Sequence, residues 1–405
     1  MKPYDAVVVG ARCAGSTLAA RLAQAGWRTL IVERHHFPRD TLSTHFLFPN
    51  TVAQLHELGA LDRMRADHEV PLVKYRVKVL GREIDARFSR VGGFDRGIAP
   101  RRLVLDSALL EVARDAGAEV MHGVPVTGLI GSGTEADPVT GVELSDGQRI
   151  RARWVFGADG RASTVARVLR LPKVKQRRAK VCMILAYWCG LPEVDVAQLD
   201  QRADRVLNWI QCEDGIGLLA VTLDAACGRG GPSAREAAYT EALRTFPETL
   251  DPDALRRASR IGEPRLAPES MLRGYFREPA GPGWALLGDA AHFKHPATAQ
   301  GIGDAIDQAT WVADALTSGP GELTGYRRWR DEAAAEHYAF SYQFARLPTE
   351  RMGRIFGGIA SDPAASRDFA DALCRLKAPS DVFTAERMAT WLSRAPERPA
   401  VGVAQ

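Results

Sequence analysis

The chain has 405 residues, 46% hydrophobic and 25% charged, which excludes global disorder and suits two or three domains, or one large domain carrying an insert. Its 37 Gly and 23 Pro stand only slightly above ordinary usage and exclude collagen-like and low-complexity classes. A formal net charge of +4 spread along the chain gives no argument for a nucleic-acid partner and suits a small anionic cofactor equally well.

Six cysteines (Cys13, Cys182, Cys189, Cys212, Cys227 and Cys374) lie scattered without a CxxC pair, the usage of a reducing compartment. The opening apolar run, Ala6 to Val9, breaks at Gly10, unlike a secretory leader. No stretch reaches the roughly 18 apolar residues of a membrane span. The expectation is a cytoplasmic protein without stable membrane insertion.

In chain order, Asp5–Val9 is a β-branched run with no helical period and predicts a short buried strand. Gly10-Ala11-Arg12-Cys13-Ala14-Gly15 follows, then a helix Ser16–Ala25 stopped by Gly26, and a second strand Thr29–Val32 ending at Glu33. This strand–turn–helix–strand order is the context that a dinucleotide fingerprint requires. Gly10 permits the tight turn, Gly15 lets helix and strand pack, and the helix N-terminus offers N–H groups to a diphosphate. Glu33, 23 positions after Gly10, stands where a carboxylate accepts hydrogen bonds from a ribose diol. Arg12 holds the position where glycine normally lets the backbone approach the diphosphate. Either it turns away from the loop and binds phosphate with its planar charged fork, or it is a solvated side chain that the loop accommodates; both readings stay open.

Residues 51–66 carry a helical period through Val52, Leu55, Leu58 and Leu61, broken by Gly59. Over 71–80, Val73, Tyr75, Val77 and Val79 alternate with Lys74, Arg76 and Lys78, the pattern of a half-exposed strand. Val104–Ala116 predicts a helix, followed by a strand Glu119–Met121 and a turn-rich hairpin from Gly131 to Ser145. An apolar strand from Trp154 then runs into Gly157-Ala158-Asp159-Gly160. Lys173–Lys180 is a basic run expected to be a solvated linker. Val181–Leu191 reads as a buried strand, and Val206–Gln211 with Gly217–Thr222 as a hairpin. Ala234–Thr245 and Asp253–Arg260 read as helices, and Leu272–Phe276 as a strand. The segment WALL, Trp284–Leu287, leads into Gly288-Asp289-Ala290-Ala291-His292, and a loop with Pro296 reaches a helix start at Gly301-Ile302-Gly303. Helices are expected over Asp304–Leu316, Tyr326–Arg346, Ala364–Leu376 and Thr384–Leu392, with a fraying Pro-rich tail from Ala395. His292 and His295 have no third ligand nearby, so no metal site is expected; His35 and His36 read as loop residues.

Three strand-to-turn sites therefore end in Gly and an acid. GARCAG with Glu33, WVFGADG, and GDAAHFKHPATAQGIG, in this order and spacing, resemble the FAD-dependent monooxygenase superfamily related to p-hydroxybenzoate hydroxylase. The strings GARCAG and FPRDTLSTH are most similar to its geranylgeranyl-reductase-like branch. The resemblance covers residues 1–340 and implies FAD as cofactor. It implies Glu33 on the adenosine ribose, Asp289 on the ribitol, and Arg102 of RRLVLD on the diphosphate or ribityl chain. Gly301 and Ile302 would lie against the flavin pyrimidine edge, and Asp159 in a segment shared by FAD and NADH or NADPH. Gly10, Arg12, Cys13, Ala14, Gly15, Arg34, Val126, Gly288, Pro296 and Gly303 complete the expected cofactor set.

The implied fold is α/β: a Rossmann-type, glutathione-reductase-like FAD-binding domain from 1–66, 98–171 and 278–340. It is interleaved with an antiparallel β-sheet substrate domain from 67–97 and 172–277, and a helical segment 341–405 follows. The expected reaction is monooxygenation. NADH or NADPH reduces the flavin, O₂ adds to give a hydroperoxide, and its distal oxygen passes to a small, aromatic or otherwise electron-rich, secondary-metabolite-like substrate. No side chain stands out as catalytic. His45, Phe46, Tyr75, Trp188, Trp209 and Gln211 are candidates for the substrate wall, although core packing is the commoner role for each. The alternative is reduction of a carbon–carbon double bond, which the branch implies. Against it, the Tyr-x-Trp-x-Phe-Pro string of prenyl reductases is absent where the strand reads LNWIQCEDG. Halogenation would need a Trp-x-Trp-x-x-Pro string and a pocket lysine, whereas Lys74 falls on the polar face of its strand. A non-catalytic flavoprotein conflicts with the retention of all three motifs.

Overall fold

The opening β-branched run folds as β1 (Tyr4–Val9), and the chain passes through α1 (Cys13–Gln24) into β2 (Thr29–Glu33). The computed structural model describes residues 2–43, 45–318 and 322–393; the expected fraying of the tail from Ala395 lies outside them. α1 starts three residues earlier than its apolar period suggests, because Arg12 is its N-cap and the fingerprint itself forms the first turn. There follow α2 (Pro49–Glu57) and α3 (Ala60–Asp67), separated at Gly59 with φ +78°, then β3 (Lys74–Val79), β4 (Arg82–Ala86), α4 (Arg102–Asp115) and β5 (Glu119–His122). The middle of the chain forms β6 (Val126–Ile130), β7 (Gly141–Leu144), β8 (Arg149–Gly157), α5 (Thr164–Val168) and β9 (Val174–Arg177). Next come β10 (Val181–Cys189), β11 (Val196–Gln201), β12 (Arg205–Gln211), β13 (Gly217–Asp224), α6 (Pro232–Arg244), α7 (Pro252–Arg257) and β14 (Ser259–Ala267). The remainder is β15 (Gly274–Phe276), β16 (Ala280–Gly281), β17 (Trp284–Leu286), β18 (His292–Phe293), α8 (Gly301–Thr317), α9 (Tyr326–Phe344), α10 (Glu350–Ala360), α11 (Pro363–Leu373), α12 (Pro379–Val382) and α13 (Ala385–Ser393).

The chain divides into two units. The first comprises 1–68, 100–178 and 273–335, and the second 69–99, 179–272 and 336–405. In the first, an eight-stranded sheet has the order β16-β17-β8-β1-β2-β5, with β7 on β8 and β6 on β7. β1 runs parallel to β2 and β8, and β17 parallel to β8. Val7, Leu30, Val155, Trp284 and Leu286 are buried between this sheet and its neighbours; each fully buried Val or Leu contributes about 1.5–3 kcal/mol. A second, three-stranded sheet has the order β18-β15-β9. Its edge strand β9 corrects the linker expected at 173–180: Gly274 and Phe276 supply backbone partners, so 174–177 of the basic run form an exposed strand.

In the second unit, seven strands take the order β14-β10-β13-β12-β11-β3-β4. The alternation over 73–79 appears as burial of Tyr75, Val77 and Val79. The sheet is not wholly antiparallel, as expected from the sequence, because β3 runs parallel to β11. Ile184, Leu207, Trp209 and Leu219 pack with Tyr239, Leu243 and Phe246 of the α6 region. α10 escapes prediction because Gly353, Gly357 and Gly358 lower its helix propensity. At Gly358 a Cβ would stand 2.2 Å from the Trp391 ring, so close packing of α13 requires glycine there.

Candidate active site

Parallel pairing sets the site. Ala158 N donates to Val9 O at 2.9 Å and Leu287 N to Gly157 O at 2.9 Å, so the carboxyl ends of β1, β8 and β17 lie side by side. The three sequence motifs leave these ends, the edge at which parallel sheets bind ligands.

At the end of β1, Gly10 has φ +102° and a Cβ there would stand 2.6 Å from Ala158 O. A Cβ on Gly15 would stand 1.9 Å from Gly10 O. Only glycine lets the turn, α1 and the Asp159 turn approach in this way. α1 has no side-chain cap at Arg12, so the N–H groups of Cys13, Ala14 and Gly15 form a helix N-terminus suited to an anion. Glu33, buried at the end of β2, accepts from Ala11 N at 2.9 Å and His35 N at 3.0 Å, which fixes its carboxylate beside the fingerprint loop. Arg34 next to it is exposed, and Val126 is buried on β6.

Arg12 turns away from the loop. Its guanidinium pairs with Asp106 and lies over the Phe37 ring, 5.5 Å from the centroid. Arg102, the first residue of α4, pairs with the same carboxylate at 2.8 Å, and Cys13 Sγ donates to it at 3.3 Å. Burial pushes the Cys13 thiol up to about 12, so it stays protonated. Asp106 ended the RRLVLD segment in the sequence and carried no separate signal there; only contact with Arg12, 94 positions away, reveals it.

Asp159 Oδ2 accepts from Thr164 N at 2.6 Å, while its buried Oδ1 has no hydrogen-bond partner among the described residues. Burial raises its pKa. Gly288 and Asp289 form a turn after β17, where Tyr275 donates to Asp289 O at 2.6 Å and Arg277 to Ala290 O at 2.8 Å. Burial pushes the Asp289 carboxyl up to about 6, against the opposing pull of Arg161 and Arg102. Its side chain is half-buried, so ligand hydroxyls can reach it.

Pro296 lies in the turn that leads to α8, whose N-cap Gln300 makes no side-chain cap to Gly301, Ile302 or Gly303. Around this turn lies a buried polar cluster that the sequence reading missed. Lys294 Nζ is 2.8 Å from Asp304 Oδ2 and 3.1 Å from Gln300 Oε1, and Gln308 bridges His292 to Gly288 N. Burial pushes His295 down to about 3, leaving it neutral. A lysine in the loop was legible, but its burial was not.

The expected substrate residues fall in both units. His45 and Phe46 are buried in the first, with burial pushing His45 down to about 3. Tyr75 is buried on β3 in the second. Trp188 donates to Tyr239 Oη at 2.9 Å and Trp209 packs in the same core, while Gln211 bonds to Ile216 O and Val194 N. These last three side chains hold the second unit together. Among the described residues no three His, Cys, Asp or Glu side chains are grouped to hold a metal, and no helix is long and apolar enough to cross a membrane.

The glycine cradle, the uncapped start of α1, and the acceptors Glu33, Asp159 and Asp289 fit a flavin dinucleotide. Glu33 would hold the adenosine ribose and Asp289 the ribitol. The chain is an FAD-dependent oxidoreductase. The chain belongs to the FAD binding domain family, whose model matches residues 3–257. It is 28% identical to a menaquinone reductase of Mycolicibacterium smegmatis over 88% of this chain and 87% of the relative. It is also 28% identical to 6-methylpretetramide 4-monooxygenase of Streptomyces rimosus, over 87% of this chain and 82% of that one. Among solved structures, a flavin-dependent brominase aligns with TM-score 0.75 at 18% identity, covering 96% of this chain and 98% of the other; that likeness is one of fold.

Proposed function

We propose that the protein is an FAD-dependent monooxygenase that takes electrons from NADH or NADPH. It would insert one oxygen atom of O₂ into a small, aromatic or otherwise electron-rich substrate. The observation that carries this reading is the loop before α8. The residues that the family resemblance sets against the flavin pyrimidine edge are surrounded by buried side chains that are neutral or internally paired: His295, Gln300, and Lys294 with Asp304. Bound FAD supplies the redox chemistry and oxygen activation; what remains for the protein is to position it, exclude water and stabilise charge. The uncapped N-terminus of α8 would offer partial positive charge to the pyrimidine edge of a bound flavin. Asp289 and Glu33 would orient the ribitol and ribose.

In this reading the first unit is the Rossmann-type FAD domain and the second carries the substrate-binding sheet, on which Tyr75 remains a candidate for the substrate wall. The relative named as a 4-monooxygenase supports oxygenation. Reduction of a carbon–carbon double bond is not favoured, since β12 reads RVLNWIQ and lacks the aromatic string of prenyl reductases. The test is anaerobic reduction by NADH and by NADPH, followed by rapid mixing with O₂. A resolved transient before oxidised flavin returns supports oxygenation. Direct return to oxidised flavin, with alkene reduction under anaerobic conditions, overturns it.

A further inference from the structure

Asp106 is a fully buried carboxylate at the meeting point of two helix starts. Arg12 is the N-cap of α1 and Arg102 the first residue of α4, and neither helix has a side-chain cap. Both guanidiniums converge on this one carboxylate. Arg12 pairs with Oδ2, while Arg102 donates to Oδ1 from Nη2 at 2.8 Å and Nε at 3.1 Å. The side chains of the two arginines are 27% and 12% exposed, that of Asp106 is 0%. A guanidinium carries five N–H donors, so these bonds leave most of each fork unspent among the described residues. Two cations and one anion leave one net positive charge, beside two helix ends of positive polarity.

We propose that Asp106 is a positioning residue for the diphosphate of FAD: it holds Arg12 and Arg102 side by side, and so replaces the missing fingerprint glycine by a side-chain clamp. This rests on assigning both arginines to the diphosphate. Without the shared carboxylate the two like charges repel, and each long side chain must be ordered when the ligand binds. With it, both are ordered beforehand.

The sign of the effect is diagnostic. Coulomb's law alone says that removing a carboxylate near a diphosphate tightens binding; positioning says that it weakens binding. FAD, ADP and adenosine affinities are to be measured on deflavinated wild-type protein and on D106N. The expected result is that FAD and ADP each bind about tenfold more weakly to D106N while adenosine is unchanged. Unchanged or tighter FAD binding overturns the proposal, and so does an equal loss for ADP and adenosine, which marks a merely structural role. If D106N fails to fold, D106E is measured instead, which keeps the charge and displaces the carboxylate. Selective loss of ADP over adenosine supports the clamp, and equal loss or none overturns it. Wild-type protein that binds neither FAD nor ADP overturns the cofactor assignment itself.

Discussion

Lys294 Nζ stands 2.8 Å from Asp304 Oδ2, and both residues are buried, at 4% and 6% exposure. The pair ties the loop that carries Pro296 to the first turn of α8. An internal ion pair is strongly destabilised when one partner is lost, because the other charge stays buried. K294M and D304N should each cost about 3–5 kcal/mol in urea denaturation. K294M combined with D304L should recover much of that loss. Single variants within about 0.5 kcal/mol of wild type would show that the pair is solvated.

Asp289 should make FAD binding depend on pH. Burial pushes its carboxyl up to about 6, whereas ribitol hydroxyls that donate to it favour the ionised form. FAD affinity should therefore rise with pH through about 6 and fall on acidification by up to about tenfold per unit. Titrations of deflavinated protein across this range check the slope. In D289N the affinity should be weaker and the slope absent.

Glu33 spends one bond each on Ala11 N and His35 N and, with ribose bound, adds a charge-assisted bond of about 1.5–3 kcal/mol. E33A should thus lower FAD affinity by one to two orders of magnitude and loosen the fingerprint loop. Flavin retention after dilution and gel filtration measures the first effect, hydrogen exchange at Ala11 the second.

Gly15→Ala should fail where most glycine-to-alanine changes in a helix succeed. The added Cβ would meet Gly10 O at 1.9 Å, so α1 must move away from the turn. The expected outcome is protein purified without flavin and with a lowered melting temperature. Gly231→Ala, with nothing within 4 Å of its Cβ and a φ of −72° that alanine adopts freely, controls for crowding.

Arg12→Gly restores the missing fingerprint glycine yet removes one arm of the clamp. FAD affinity should fall in spite of the improved motif, as measured by fluorescence titration. Tighter FAD binding with an unchanged rate of reduction by NADH or NADPH would make Arg12 an accommodated residue only.

Much of the candidate cofactor site was legible because its signals are local. A β-branched run, a positive-φ glycine, an apolar helical period and an acid at a strand end are each set by a few neighbouring residues. They locate Gly10, Gly15, Glu33, Asp159 and Asp289 without knowledge of the rest of the chain. The tertiary structure alone decided what depends on distant partners. It paired Arg12 with Asp106 across 94 positions and made 174–177 of the basic run a strand against β15. It set β3 parallel to β11, although their alternation is silent on direction, and buried Lys294, which by composition alone belongs on a surface. It also drew Trp188 and Trp209 into the core with Tyr239. Local patterns encode backbone conformation and which face is apolar. The partner of a charge or a strand edge is chosen only when the chain closes on itself, because burial then obliges each polar group to find a bond.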